Sequence, residues 1–553
     1  MTHIESQNIF DEQPERMSLH ATERFDATSQ TATRELKMSA TGMWLDRVIV
    51  MWVFALAIFA PHSIAATEIS WMIGMTAWVA RYLFVLPRQK LYRTPIDYAL
   101  LIFFALTFLS SLLSYDPYTS IGKMRAASLF TVVYLVAENI RSRRLLRLLA
   151  LTLVASCMIN VVYTFGERAV GRGVKVEKIS AASPLYAAGI RDGDTLLEVD
   201  GRRLHRPEEL IDVLSASGSS NDKPARVKIY HFEAMPTLDV ARGRLLEGAR
   251  PTEKLGIGNW SRGRDWRASG FYGHYVTYAE VLQLILSLAC GLFIAVPLKK
   301  SWRALLLGAA LCGMGACLLL TVTRASWLAF LISAFVIVLA GASRRTALVM
   351  LACAVLLVPA GLFVLQQKRN VKFVDQSDGS ITWRETVYRE GWHLLVSKPR
   401  HLLVGVGMDS IKRYRHEWGL FDHGRLPMGH MHQTLLEIAL ERGVPTLLAW
   451  LVFVWLYARM LWRLVRRTVN ENWIEHGLVL GAFGGLAGFL SSAMVHYNFG
   501  DSEVVIVFYF IMGLCIVLER ELRTKQLPAT EKNASARVGK DDMALPDGAT
   551  AAI

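Results

Sequence analysis

The sequence predicts a polytopic α-helical membrane protein of about twelve spans, with an α/β module inserted between two of them. Of its 553 residues, 53% are hydrophobic. Many of these fall in apolar runs of about 20 residues, the length that a helix needs to cross a bilayer. Basic residues concentrate in alternate loops between the runs, and two of the other loops are long and polar. This pattern excludes an ordinary soluble globular protein.

The apolar runs predict spans at residues 43–60, 69–86, 96–114, 121–137, 148–165, 275–296, 304–322, 325–340, 346–365, 444–461, 478–494 and 504–518. Arg and Lys concentrate in the loops 88–93, 141–147, 299–303, 344–345 and 463–467. By the positive-inside rule these loops face the cytoplasm. Both termini are therefore expected to be cytoplasmic, and the two long loops to face the opposite side.

The spans and long loops divide the chain into segments. In chain order these are a cytoplasmic disordered tail (1–42), spans one to five (43–166), a periplasmic module (167–236), a periplasmic connector (237–274), spans six to nine (275–365), a periplasmic loop with the candidate catalytic residues (366–443), spans ten to twelve (444–519) and a cytoplasmic tail (520–553). Loops as long as the two periplasmic ones are usually functional or separately folded.

The cysteines and the net charge point to no further class of site. All six cysteines lie within predicted spans, where a thiol behaves as a small apolar side chain. We therefore expect neither a disulfide framework nor a zinc site. The net charge of +14 comes largely from the basic loops that orient the spans, so nucleic acid is not an expected partner.

The inserted module has the order of elements of a small α/β domain. Residues 173–201 predict a strand, a short helix of small residues, a glycine turn and a second strand. An amphipathic helix at 206–216 and an alternating strand at 225–232 follow. This arrangement resembles a bacterial PDZ domain.

A PDZ domain binds an extended C-terminal peptide as an added strand, and backbone N–H groups of a glycine loop hold the carboxylate. The resemblance implies such a loop at Gly171, Arg172, Gly173 and Val174, and a periplasmic protein C-terminus as a partner. The alternative that this copy only braces the loop remains open.

Intramembrane zinc proteases also combine membrane spans with a PDZ domain. The nearest match to their H-E-x-x-H motif begins at His416 and Glu417, but Leu420 stands where the second zinc-binding histidine is required. The residues therefore argue against this class.

Two polar features accompany the later spans. Arg324 lies in a tight turn between the seventh and eighth spans, where a charge is costly unless it is used or reaches the interface. In the second long loop, His432 and Gln433 are followed by nine residues and then by Gly443 and Thr446.

These features resemble the signatures of the O-antigen ligase and polymerase superfamily. The loop matches the pattern His-[Asn/Ser/Gln]-x9-Gly-x-x-[Gly/Thr/Tyr], and Arg324 with Leu328 matches the family's Arg-x3-Leu element. The stretch 380–407 is similar to the family's arginine helix and Gly-x-Gly turn. The resemblance covers roughly residues 270–518, and the PDZ insertion departs from the common family pattern.

The resemblance implies a GT-C-like helical fold in the bacterial inner membrane and an enzyme that acts at the periplasmic face. Family members move a glycan from an undecaprenyl-diphosphate carrier to an acceptor hydroxyl, on the lipid A core or elsewhere. Arg324 and Arg384 would bind the diphosphate, since arginine forks suit phosphate oxygens. His432 would act as the general base.

The remaining expectations concern the surroundings of this site. His430 would orient its neighbour, and the other predicted substrate-binding residues are Gln433, Arg267, His274 and His496. The first outward loop, 61–68, offers only one carboxylate, Glu68, where metal-dependent relatives usually carry a pair. We therefore expect a reaction without metal or cofactor.

Several functions remain open at this point. The motifs do not separate a ligase from an O-antigen or exopolysaccharide polymerase that uses the same chemistry. A transporter is supported by the number of spans alone, and a non-catalytic scaffold would make the PDZ domain the working part. Membrane lipids are partners in every case.

Overall fold

The computed structural model describes residues 40–85, 91–215, 223–231, 235–343, 345, 348, 379–426 and 429–541. Nearly all of the ninth predicted span (346–365) lies outside the described residues. The same holds for most of the N-terminal tail, for the first part of the loop 366–443 and for the end of the C-terminal tail.

The described helices are α1 (Ala40–Phe59), α2 (Ile64–Phe84), α3 (Asp97–Leu112), α4 (Pro117–Gly122), α5 (Met124–Ala127), α6 (Thr131–Asn139), α7 (Arg143–Val170), α8 (Pro184–Ala187), α9 (Pro207–Ser215), α10 (Pro251–Leu255), α11 (Tyr275–Ala295), α12 (Trp302–Leu320), α13 (Arg324–Gly341), α14 (Gly379–Val396), α15 (Pro399–Val404), α16 (Ser410–Tyr414), α17 (Leu420–Gly424), α18 (Thr434–Arg442), α19 (Val444–Arg467), α20 (Trp473–Ala493) and α21 (Ser502–Asp541). Short 3-10 turns lie at Ser128–Phe130, Gly270–Tyr272 and Asn498–Gly500. The strands are β1 (Val174–Ile179), β2 (Thr195–Val199), β3 (Arg202–Arg203), β4 (Ala225–Tyr230), β5 (Thr237–Val240) and β6 (Ile257–Arg262).

Among the described residues, nine helical segments are long and apolar enough to cross a membrane: Thr41–Phe59, Pro117–Asn139, Arg143–Val170, Tyr275–Ala295, Trp302–Leu320, Arg324–Gly341, Val444–Arg467, Trp473–Ala493 and Ser502–Lys525. Each coincides with a predicted span. The second predicted span falls on α2, which is outside this set, and the third on the 16-residue α3. The last helix continues well beyond the predicted end of its span at 518, to Asp541.

Polar side chains fix where several of these helices begin. The Ser301 hydroxyl accepts a hydrogen bond from the backbone N–H of Ala304 at the start of α12, and the Asn472 side chain does the same for Ile474 at the start of α20. These bonds satisfy backbone donors that have no partner within the helix. At the start of α2, Ser63 accepts from Ala66 in the same way.

Helices α11, α13 and α20 form a closely packed group at the centre of the bundle. A Cβ atom placed on Gly291 of α11 would lie 2.3 Å from the backbone nitrogen of Gly481 on α20. A Cβ on Gly481 itself would lie 2.5 Å from the Cα of Leu288. Small residues allow membrane helices to approach this closely and to pack backbone against backbone.

The inserted module is an antiparallel sheet in the order β5-β4-β2-β1-β6, with β3 paired to β2. Apolar side chains from these strands and from α9 form its core, which is separate from that of the helical bundle. Its strands β1, β2 and β4 and its helices α8 and α9 follow the predicted order of elements.

The module extends further along the chain than the predicted end at residue 236. Strand β5 pairs with β4, and β6 pairs with β1 along its length, from Val174 opposite Arg262 to Ile179 opposite Ile257. Much of the predicted connector 237–274 is therefore part of the sheet. The pattern did not reveal β6 because Gly258 and Asn259 interrupt its apolar alternation.

We predict that Gly481→Val destabilises the bundle, because the added side chain would collide with the backbone of α11. Overpacking of this kind costs about 1–3 kcal/mol or more. Thermal unfolding of the purified protein in detergent, followed by tryptophan fluorescence, should show a lower midpoint.

Gly315→Val on α12 is the matched control, since a Cβ there meets no atom within 4 Å. Equal midpoints for the two variants would contradict the proposed close packing.

Candidate functional site

The predicted site residues lie at one end of the bundle. Helix α7 ends there at Val170 and α11 begins there at Tyr275, with the inserted module between them. We call this the module end. At the opposite end, Arg143 forms ion pairs with Glu471 and Glu475, at 2.6 and 3.2 Å.

His432 is held by residues of α14. Its ring makes an edge-to-face contact with Trp383, with ring centroids 4.7 Å apart. Its backbone carbonyl accepts a hydrogen bond of 3.0 Å from the Tyr388 hydroxyl. His432 has a φ of 50°, in the left-handed region that non-glycine residues rarely adopt. The surrounding contacts therefore fix a costly backbone conformation at this position.

The surroundings of His432 favour its neutral form. Burial lowers its pKa to about 3, and neighbouring basic side chains act in the same direction. These groups include His496, His430, Arg384 and His274, in falling order of effect. These four neighbours are all predicted site residues, and the structure thus brings them close to His432. The imidazole of His432 is neutral near pH 7 and can accept a proton.

His430 lies in a different environment from His432. Its Nδ1 is 3.7 Å from the buried Glu437 carboxylate. Burial opposes protonation of His430, but Glu437 and Glu441 outweigh burial, and the pKa is raised overall. The other Glu437 oxygen accepts a hydrogen bond of 2.6 Å from the backbone N–H of Met431. Glu437 therefore fixes the loop on the N-terminal side of His432.

Arg324 begins α13, directly after a strained turn. Val322 in this turn has a φ of 53°, which is unfavourable for a β-branched residue. The predicted site residue Arg267 braces the turn, because its guanidinium donates to the carbonyls of Thr321, at 3.0 Å, and Val322. The Arg267 guanidinium also lies 3.8 Å from the ring centroid of Tyr275. Arg267 thus has a structural role in placing Arg324.

His274 caps α11, where its Nδ1 accepts from the backbone N–H of Thr277. The Thr277 hydroxyl in turn donates to Asp501, at 3.0 Å. Burial lowers the pKa of His274, and Asp501 opposes this shift. Burial raises the pKa of Asp501. His274 therefore joins the start of α11 to the segment before α21.

The structure also reveals a carboxylate that the sequence pattern did not indicate. Glu280 lies in α11 and is fully buried. Its Oε1 accepts hydrogen bonds from Ser326, Ser492 and His496, the last through Nδ1 at 2.9 Å. A charged residue within an apolar run is costly and is therefore a sign of function. The sequence already shows this feature, because Glu280 is a carboxylate within the predicted span 275–296.

Two residues of the histidine signature have structural roles. Gly443 joins α18 to α19 with a φ of 86°, and a Cβ there would lie 2.4 Å from the carbonyl oxygen of Leu403. The Thr446 hydroxyl donates to the carbonyl of Arg442, at 2.6 Å. Gly443 therefore allows the chain to turn tightly between the end of α18 at Arg442 and the start of α19 at Val444.

Gln433 occupies the N-cap position of α18, but its side chain makes no capping hydrogen bond. The structure thus places it next to His432 without assigning it a contact with the other predicted site residues.

The predicted peptide loop at 171–174 does not lie at a free edge of the module sheet. Strand β1 begins at Val174 and is paired on both sides, by β2 and by β6. The backbone N–H of Arg172 donates to the carbonyl of Gly263, at 2.8 Å, and its guanidinium bonds to Glu198. This segment therefore ties α7 to the sheet. Within the described sheet it is β6 that lies at the end of the strand order.

Within the described ranges, no group of three or more His, Cys, Asp or Glu side chains is arranged to hold a metal ion.

The chain resembles known proteins in two regions. Residues 309–451 match the O-antigen ligase family model, and residues 154–241 match a PDZ domain model. The first segment includes Arg324, Arg384 and His432. A separate comparison relates the chain to the magnetosome formation protease MamE of Magnetospirillum gryphiswaldense, with 44% identity over 73 residues. That match covers 13% of this chain and only 9% of the length of that protein.

We predict that His430 and His432 differ in their reaction with diethyl pyrocarbonate, which modifies neutral imidazole. Lowering the pH from about 7.5 to about 5.5 should suppress modification of His430, whose pKa is raised. His432 should remain reactive because its pKa lies near 3. Trypsin releases both histidines in one peptide, 426–442, so mass spectrometry can compare them directly.

The extent of modification of each histidine at the lower pH is divided by its extent at the higher pH. This ratio removes differences between the two histidines in their accessibility to the reagent. A parallel loss of reactivity at both positions would contradict the proposed environments.

Proposed function

Because the chain carries an O-antigen ligase domain, we propose that it is a glycosyltransferase that moves a glycan from an undecaprenyl-diphosphate carrier to an acceptor hydroxyl. The observation that carries this proposal is the environment of His432. Its neutral imidazole contacts Trp383 and lies near basic side chains that include Arg384, so that a base and an anion-binding group occur together. The lipid A core is the acceptor class that the ligase resemblance favours.

In the proposed reaction, His432 takes the proton of the acceptor hydroxyl while the hydroxyl oxygen bonds to the anomeric carbon of the glycan. The bond from that carbon to the carrier diphosphate breaks, and its electron pair leaves with undecaprenyl diphosphate. Arg324 and Arg384 stabilise the negative charge that gathers on the diphosphate oxygens. This route needs no metal ion.

The donor would also adjust the base. In the free protein the basic neighbours of His432, including Arg384, oppose its protonation. A bound diphosphate places negative charge beside the same neighbours and offsets their effect. The pKa of His432 should rise when the donor binds, which brings the base closer to the range where general-base catalysis is most effective. The site would thus gain basicity when its substrate is present.

We further propose that the module end faces the periplasm of a bacterial inner membrane and that both termini are cytoplasmic. The basic loops that follow α11 and α19 and the loop that precedes α7 lie at the opposite end of the bundle. This distribution of charge supports the orientation. It places the site on the side where lipid-linked glycans are assembled.

The PDZ domain suggests a peptide partner, and we propose that the peptide adds to β6. This strand ends the described sheet, and α9 lies beside its start, since Leu210 and Leu214 share a core with Leu255 and Ile257. Nearby lie the exposed Arg250 and the half-buried Lys254. Positive charge at this point suits the carboxylate of a protein C-terminus that runs antiparallel to β6.

We predict that Arg324→Ala and His432→Ala prevent glycan transfer. In a deletion strain complemented with either variant at matched protein levels, carrier-linked glycan should accumulate, whereas wild type restores the surface glycan. Long accumulated chains would indicate a ligase, and single repeat units a polymerase. Full complementation by both variants would contradict the transferase and favour a scaffold or a transporter.

We also predict that Lys254→Glu weakens peptide binding by the full-length protein in detergent by roughly ten-fold, because it replaces attraction to the carboxylate with repulsion. The probes are short fluorescent peptides that end in Val, Leu, Ile or Phe, and anisotropy reports binding. The same peptides with an amidated C-terminus should bind weakly to both proteins.

Arg203→Glu is the control, because it makes the same change of charge on β3, which pairs with β2 and not with β6. Absence of binding by every peptide, or equal effects of both substitutions, would contradict a site at β6.

A further inference from the structure

We propose that Glu280 is a positioning residue for the transfer reaction and that it acts on the base His432 through His496. This inference rests on the proposed function and extends it to a residue outside the matched ligase segment. Glu280 lies in α11, more than 150 positions before His432 in the chain. The connection between the two residues exists only in the folded protein.

The first step is the contact between Glu280 and His496. Nδ1 of His496 lies 2.9 Å from Oε1 of Glu280, and both side chains are buried. The same oxygen accepts from the hydroxyls of Ser326 on α13, at 2.9 Å, and Ser492 on α20. Three helices and one loop therefore meet at a single carboxylate oxygen. A carboxylate held by several donors has a fixed position.

The second step leads from His496 to His432. The Thr434 hydroxyl donates to the carbonyl of His496, at 2.9 Å, and also lies 3.0 Å from Oδ1 of Asn498. Thr434 is two residues after His432, at the start of α18. The loop that carries His496 is thus bonded to the segment that carries the base. Of the neighbouring side chains that lower the pKa of His432, His496 has the largest effect.

The consequence for His496 follows from its ring geometry. Because Nδ1 faces Glu280, Nε2 lies on the opposite side of the ring, away from the carboxylate. A carboxylate that holds one ring nitrogen fixes the orientation of the imidazole, as it does for histidines in other sites. Glu280 would therefore determine how His496 stands beside His432. Loss of Glu280 should disturb the base without removing it.

The test measures transfer by the purified full-length protein. Membranes of the deletion strain supply the accumulated donor together with its natural acceptor, and the loss of carrier-linked glycan is followed over time. We expect Glu280→Gln and His496→Ala each to lower kcat on the order of ten-fold, which is typical for the loss of an orienting partner. The apparent KM for the donor should change little.

A double-mutant cycle provides the readout that a structural role would not produce. If Glu280 acts through His496, Glu280→Gln should have no further effect on kcat in a His496→Ala background. Additive effects, or a normal kcat for Glu280→Gln alone, would overturn the proposal.

Gln283→Leu is the matched control for burial. Gln283 is a fully buried polar residue one turn further along α11, and it bonds to Ser333, at 2.8 Å. This variant should lower thermal stability while the kcat of the folded fraction stays normal. If Glu280→Gln yields too little folded protein, Ser492→Ala replaces it in the double-mutant cycle, because this substitution removes one hydrogen-bond donor to the same Glu280 oxygen.

His432→Ala separates this inference from the function on which it rests. If wild type transfers glycan and His432→Ala does not, the proposed function stands, and the cycle alone decides the role of Glu280. If wild type transfers no glycan, the proposed function fails; if His432→Ala is as active as wild type, the assignment of His432 as the base fails, and the role of Glu280 fails with it.

Discussion

Helices α11, α13 and α20 pack through glycines, at distances that larger side chains would not permit. Gly488 shows how this contact bears on the site, because a Cβ there would lie 2.1 Å from the Ser333 hydroxyl and 2.2 Å from Nε2 of Gln283. One helix group therefore brings buried polar side chains together in a low-dielectric interior, where each needs a partner. Further along the same helices, Ser326, Ser492 and Glu280 meet in the same way. The position of the candidate site follows from this close crossing.

The second constraint is the attachment of the inserted module. Arg168 of α7 donates to the carbonyl of Trp266, at 2.8 Å, and Lys175 of β1 pairs with Asp265, at 2.8 Å. Arg267 follows directly and braces the turn at Thr321 and Val322. The segment that leaves β6 is thus bonded to the module, to α7 and to the turn before Arg324. The segment 265–267 therefore contacts both the inserted module and the turn that precedes Arg324.

The sequence predicted what depends on short-range patterns. Apolar length located the nine described helical segments that are long enough to cross a membrane. Features that depend on distant contacts were not predictable in this way. The charge of Glu280 was visible in an apolar run, but its partners come from α13, from α20 and from the loop after it. The strand that follows the predicted peptide loop at 171–174 is paired on both sides, which sequence order does not show.

Two residues with a strained backbone link the local structure to the candidate site. Val322 and His432 both have positive φ, although neither is glycine, and each such residue costs on the order of 1–3 kcal/mol. Glycine would remove most of this conformational cost at either position. A side chain at such a position therefore needs a compensating role, or its backbone conformation must be held by neighbouring residues. For Val322 the neighbours are evident, because Arg267 bonds to the carbonyls of the turn. For His432 the contacts with Trp383 and Tyr388 are evident, and the proposed chemistry would require an imidazole at this point. The strain then fixes the direction in which that imidazole leaves the backbone, between α14 and the loop that Glu280 holds.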